Sequence, residues 1–75
     1  MKKLEKILES EFKLILLNNK VNIINYKEIK ELKEDSIIIV SNQIVEIKGK
    51  NLILNKMMHN ELLITGKIKR INIIW

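Results

Sequence analysis

The segment "VEIKGKNLILNKMMHNELLITGKIKRINII", Val45 to Ile74, decides the fold because it contains the phrase "I-x-G-K" twice. The first copy begins at Ile47 and the second at Ile64, and their glycines, Gly49 and Gly66, are the only two in the chain. Each glycine interrupts a run of aliphatic residues typical of β-strands. We therefore predict that both glycines are structural corners, at which a strand ends or bends.

The last strand of this segment is expected to be bent, because its apolar alternation changes parity. Leu62 and Ile64 are in phase with Ile68, whereas Ile71 has the opposite parity. A bulge near Lys69–Arg70 would keep these apolar side chains on one face. Such a bend lets a small sheet curl into a β-rich roll or partial barrel.

Shorter elements precede this segment. The β-branched run Ser36–Val40 and the run Ile44–Lys48 are separated by three polar residues, which predicts a hairpin. Val21–Asn25 indicates a short strand. Tyr26–Asp35 carries mostly polar residues and is compatible with either a helical turn or a crossing loop.

The N-terminal region has the pattern of an amphipathic helix. Apolar residues recur at three- and four-residue steps from Lys2 to Leu17, with no glycine or proline, and Asn18-Asn19 tolerates a left-handed helix end. The predicted fold class is therefore α+β. Residues 1–20 would form a helix packed on a small, curved, mostly antiparallel β-sheet of residues 21–75, and residues 1–75 would form a single domain.

Length and composition limit the function classes. A chain of 75 residues buries only about 60% of the surface that its unfolded form exposes, so self-association or a protein partner is expected to add buried area. With no cysteine and one histidine, disulfide frameworks and ordinary structural zinc sites are excluded. No apolar run reaches the roughly 18 residues of a membrane span, and glutamates interrupt any signal peptide, so a cytoplasmic protein is predicted.

Catalytic chemistry is not indicated. No nucleophile, base and acid fall at a recognised spacing, so we predict no enzyme activity, no catalytic residues, no metal or cofactor site and no small-molecule substrate. His59 lies in a turn-like stretch and is interpreted as an exposed loop histidine rather than a ligand. The pair Met57-Met58 is interpreted as a plug at one end of the core, with a soft interaction surface as the alternative.

The net charge of +5 is concentrated in the second half of the chain. If the two glycine corners lie side by side, a basic patch forms that is able to bind nucleic-acid phosphates or, less favoured, an anionic membrane surface. The alternative is a set of solvated lysines that blunt sheet edges, and the scarcity of aromatic residues favours it. The candidate patch comprises Lys48, Lys50, Lys67, Lys69 and Arg70.

A second candidate interface lies in the uncharged run Ile37, Ile38, Ile39 and Val40. As a central strand this run would simply be core. As an edge strand it would pair with a strand from a second copy or from a protein partner.

The succession "EIKGKNLILNKM" and "ELLITGKIKRINI" resembles the second half of the small YabP/YqfC-like sporulation proteins of endospore-forming bacteria. In that family a strand, an "I-x-G-x-x-L" corner, a short strand and a final "L-x-I-x-G-x-I-x-x-I" strand follow one another. The resemblance implies a non-enzymatic protein of the mother-cell cytoplasm or forespore surface, acting in spore coat or cortex formation. The expected function is thus a structural or assembly module that self-associates or binds a protein partner. The alternative is a small basic nucleic-acid-binding protein.

Overall fold

The computed structural model describes residues 12–74, which form one antiparallel β-sheet of six strands. The spatial order of the strands is β1-β2-β6-β5-β4-β3, so only β2 and β6 are neighbours in space without being neighbours in sequence. The strands are β1 Lys13–Leu17, β2 Lys20–Ile24, β3 Glu28–Leu32, β4 Ser36–Val40, β5 Ile44–Met58 and β6 Glu61–Ile74.

The predicted α+β class is wrong, because the described part of the chain is all-β and contains no helix. Lys13–Leu17, the end of the predicted helix, is strand β1; the rest of that helix, over residues 2–11, lies outside the described residues. A short apolar run fits helical and strand periodicity equally well, and pairing with β2 decides the outcome here. Asn19, with φ of 55°, serves a hairpin turn instead of a helix end.

The polar segment Tyr26–Asp35 is also different from either expectation. Its centre, Glu28–Leu32, is an edge strand that pairs with β4. Ile29 packs against the core while Glu28 and Lys30 are exposed, and the register shifts between Ile29 and Glu31. An edge strand with many charges hides its apolar periodicity, which explains why the sequence pattern did not reveal it.

The long hairpin of β5 and β6 extends through both halves of the sheet. Residues 61–65 of β6 pair with both β2 and the second half of β5. Residues 44–48 of β5 pair with both β4 and the second half of β6. Each half of the hairpin therefore has a different third strand beside it, β2 or β4, and the hairpin bends where one half of the sheet passes into the other.

The bend coincides with irregular pairing between β5 and β6. Lys48 lies opposite Arg70 while Gly49 lies opposite Ile68, so Lys69 is an extra residue, and the predicted bulge at this position is confirmed. Both glycines lie at the bend: Gly66 has φ of 127°, and a Cβ on Gly49 would overlap a backbone carbonyl oxygen of β6.

The two halves of the sheet close on a single hydrophobic core. Side chains of β2 and β4 belong to the same core although β6 and β5 separate these strands in the sheet, so the sheet curls around it. The antiparallel, curved character predicted for the sheet is therefore present. Each fully buried aliphatic side chain contributes about 1.5–3 kcal/mol. The core residues are Val21, Ile23, Ile37, Ile39, Val45, Ile47, Leu52, Leu62 and Ile64.

Candidate binding surface beside the open edge of β6

Strand β6 is paired on both sides only along its first third. Its pairing with β2 extends from Glu61 to Thr65. From Lys67 to Ile74, β6 pairs with β5 on one side, and no strand within residues 12–74 lies on the other. We call Lys67–Ile74 the open edge of β6. Alternate backbone N–H and C=O groups of such an edge are free to pair with another strand.

The equivalent stretch of β5 is covered by a turn. Gly49 donates its backbone N–H to the carbonyl oxygen of Asp35 (3.2 Å), and Leu52 donates to that of Glu34 (2.8 Å). Beside β6, the turn between β1 and β2 occupies the corresponding place but leaves a groove of about 580 Å³. The groove is lined by Leu16, Leu17, Asn18, Asn19, Ile68, Lys69, Arg70 and Ile71. Its walls are thus largely aliphatic and its rim is cationic.

The structure brings the five residues of the candidate basic patch together at the bend. Lys48 lies opposite Arg70, Lys50 lies opposite Lys67, and Lys69 is the bulge residue between them; all five are exposed. Like charges directly opposite each other destabilise a β-ladder. The pairs Lys48–Arg70 and Lys50–Lys67 therefore repel each other, and a bound anionic ligand would reduce this repulsion.

Lys48 differs from the other four because its charge is already compensated. Its Nζ donates to Ser36 Oγ (3.1 Å) and lies 3.9 Å from a carboxylate oxygen of Glu46. The buried Ser36 hydroxyl in turn donates to Glu31 Oε2 (2.6 Å). This hydrogen bond, assisted by the charges of Lys33 and Lys48 and opposed by desolvation, lowers the pKa of Glu31. Ser36 of β4 thus connects charges on its two neighbouring strands, β3 and β5.

The remaining four cations have no such compensation from the residues that the structure describes. Within residues 12–74, no carboxylate lies within 4.0 Å of Lys50, Lys67, Lys69 or Arg70. Lys20 of β2, which the sequence pattern did not identify, extends this group because it is exposed and lies opposite Thr65 of β6. The alternation Lys20-Val21-Asn22-Ile23 is the signal that identifies it, but the helix predicted over residues 1–20 includes Lys20.

The second candidate interface, the run from Ile37 to Val40, has no open edge. Strand β4 lies between β3 and β5 and is paired with both, so these residues cannot recruit a further strand in this fold. Ile37 and Ile39 are core residues. The run therefore serves as a central strand, and the proposed strand-pairing role must be sought elsewhere in the sheet.

The methionine pair and the histidine lie at the far end of the long hairpin. Met58 is 72% exposed, and Met57 is also exposed, so the interpretation of this pair as a core plug is wrong. His59 is exposed in the turn between β5 and β6. Within residues 12–74 there is no cluster of three or more side chains placed to hold a metal ion. The same residues contain no helix suited to crossing a membrane.

Comparison with known proteins identifies no relative of this chain. No protein-family model, curated protein or solved structure matches the chain. The resemblance to the YabP/YqfC-like sporulation proteins therefore stays a prediction, and the candidate surface rests on its geometry.

Proposed function

We propose that this chain is a non-enzymatic protein-binding module that accepts a β-strand from another chain along the open edge of β6. The observation that carries the proposal is that, among residues 12–74, Lys67–Ile74 pairs with a strand on one side only and has a groove beside its first half. In the setting that the sequence resemblance implies, strand acceptance would join the chain to another component of the assembling spore coat or cortex.

Strand addition would satisfy the groups that this edge leaves exposed. Each backbone hydrogen bond contributes about 0.5–1.5 kcal/mol net, and the alternating side chains supply specificity. An added strand would also cover the exposed apolar side chains at the end of the edge, Ile73 and Ile74. The outer strand β3 is a poorer acceptor, because it is short, charged and bulged.

The proposal is tested by blocking the open edge and measuring self-association at high salt, where screening removes repulsion between basic copies. The variant Ile73→Lys places a charge on the edge, and the control Leu32→Lys places the same charge on β3; the two side chains are 43% and 56% exposed. We expect light scattering to show concentration-dependent oligomers for the parent and the control, and monomers for Ile73→Lys. A parent that stays monomeric at every concentration and salt would count against the proposal.

A second candidate function, nucleic-acid binding, is favoured by one observation: Lys50 and Lys67 oppose each other and have no carboxylate within 4.0 Å inside residues 12–74. Such cations neutralise phosphates without reading bases, and the logarithm of affinity for a DNA duplex would then fall with the logarithm of salt by about 0.9 per phosphate contact. Lys67→Glu would weaken binding, whereas Lys30→Glu on β3 would not. Absence of duplex binding at low salt excludes this candidate.

A further inference from the structure

We infer that the strand accepted at the open edge of β6 is acidic: an extended protein segment in which Asp or Glu alternates with aliphatic residues. The inference rests on the proposed function, because it specifies the chemistry of the partner at the same edge. It is carried by three features that coincide at one place in the described part of the chain: a strand edge that no described strand covers, a largely aliphatic groove, and cations with no described carboxylate within 4.0 Å.

The positive charge of the open edge of β6 favours a partner strand that carries negative charge. Three of the eight residues from Lys67 to Ile74 are cationic and none is acidic. Lys67, Lys69 and Arg70 have no carboxylate within 4.0 Å among the residues that the structure describes. A strand that brings carboxylates to this edge supplies the missing counter-charges, whereas a basic strand adds repulsion.

The two faces of the edge then determine the alternation. Ile71 lies opposite the buried Ile47, so it points to the inner face, where the groove is lined by Leu16 and Ile68. Arg70 lies opposite the exposed Lys48 and therefore points to the outer face. Successive side chains of an added strand point to opposite faces. Aliphatic residues of the partner would enter the groove while its acids meet the cations.

The same charges argue against a second copy as the ordinary occupant. Each chain carries a net charge of +5, and pairing two open edges would bring two sets of cations together. Cationic residues on an exposed edge are a common device against unwanted edge-to-edge pairing. Self-association is therefore expected only when salt screens the repulsion.

A protein strand also fits better than a nucleic acid. The groove beside the edge has aliphatic walls, which phosphates do not use, and base stacking needs exposed aromatic rings. The two described aromatic residues, Phe12 and Tyr26, pack against the core instead. Nucleic-acid binding is accordingly the competing outcome of the experiment.

The experiment compares two synthetic peptides, EVEIEVEI and KVKIKVKI, for binding to the full chain at low salt by fluorescence anisotropy. Amide hydrogen exchange followed by NMR reports in parallel whether Lys67–Ile74 becomes protected. We expect the acidic peptide to bind at least about tenfold more tightly, and the variant Lys69→Glu with Arg70→Glu to reverse the preference. The control, Lys30→Glu with Lys56→Glu, makes the same change in net charge away from the edge.

The outcomes separate the inference from the proposed function. If both peptides bind with equal affinity and the amides of β6 become protected from hydrogen exchange, the inference of an acidic partner is wrong, while the proposal of strand acceptance is retained. Binding of the acidic peptide without protection in β6 would overturn both, because only charge is then recognised. If neither peptide binds, the acidic-strand inference fails, while the self-association assay still decides strand acceptance. If a DNA duplex displaces the acidic peptide and the amides of β6 stay unprotected from exchange, the surface binds nucleic acid and not a protein strand.

Discussion

Gly66 of β6 and Asn51 of β5 face each other across the bend so closely that no side chain fits between them. A Cβ built on Gly66 would lie 2.6 Å from the carbonyl oxygen of Asn51. Both residues have positive φ, 127° for Gly66 and 54° for Asn51. The bend therefore consists of two left-handed residues on opposite strands, and only one of them tolerates a side chain.

Substitution of Gly66 is expected to destabilise the fold. Gly66→Ala forces an L-residue into a conformation that costs about 1–3 kcal/mol, and the contact with Asn51 adds to that cost. Urea unfolding measures the effect, and Thr65→Ala, one residue away, serves as the control with a much smaller change. An unchanged midpoint for Gly66→Ala would contradict the close approach at the bend.

Reversal of one lysine at the bend is expected to stabilise the protein while weakening its ligand binding. Lys67→Glu converts the like-charge pair with Lys50 into an opposite-charge pair, which should gain about 0.2–1 kcal/mol at low salt. The gain should shrink as salt is added. Reversing both residues restores repulsion and should remove it. Thermal unfolding of the single and double variants over a salt series measures this coupling.

The hydrogen bond from Ser36 to Glu31 predicts a pH dependence of stability. Because the pKa of Glu31 is lowered in the folded state, its contribution is present above the ordinary carboxyl pKa of 4.5 and is lost as pH falls through the lower folded-state value. Glu31→Gln should therefore narrow the difference in unfolding free energy between neutral and acidic pH. Glu28→Gln, a neighbouring glutamate on β3, is the control. Parallel pH profiles for parent and Glu31→Gln would refute the assignment.

The central position of β4 predicts that substitution of two neighbouring isoleucines by alanine destabilises the fold to very different extents. Ile39 is fully buried, so Ile39→Ala should cost about 2–5 kcal/mol. Ile38 points to the outer face and is only partly buried, so Ile38→Ala should cost much less. Chemical denaturation distinguishes the two. Equal costs would mean that β4 is not held in the register observed.

Local features of the sequence predicted the hairpin of β4 and β5 and the bulge near Lys69–Arg70, and they predicted a meeting of the cations on the condition that the two glycine corners lie side by side. The lysines follow from the glycine phrases, because Lys48 and Lys50 flank Gly49 and Lys67 directly follows Gly66. Strand β1 could not be assigned in the same way, since its apolar run suits a helix as well. The open edge was not predictable, because it depends on β2 pairing with β6, and neither strand carries a local signal for that choice.

That single non-local pairing also sets an order in which the molecule can assemble. β3, β4, β5 and β6 form successive hairpins, whereas β2 must find a strand far along the chain: Asn22 hydrogen-bonds to Glu61, 39 residues later. Closing so large a loop costs entropy before its contacts form, so the β1–β2 hairpin is expected to dock last. Weakening the contact of β2 with β6 should then accelerate unfolding and leave the folding rate nearly unchanged. Strand β2 is thus expected to be the last strand to join the core during folding and the first to leave it during unfolding.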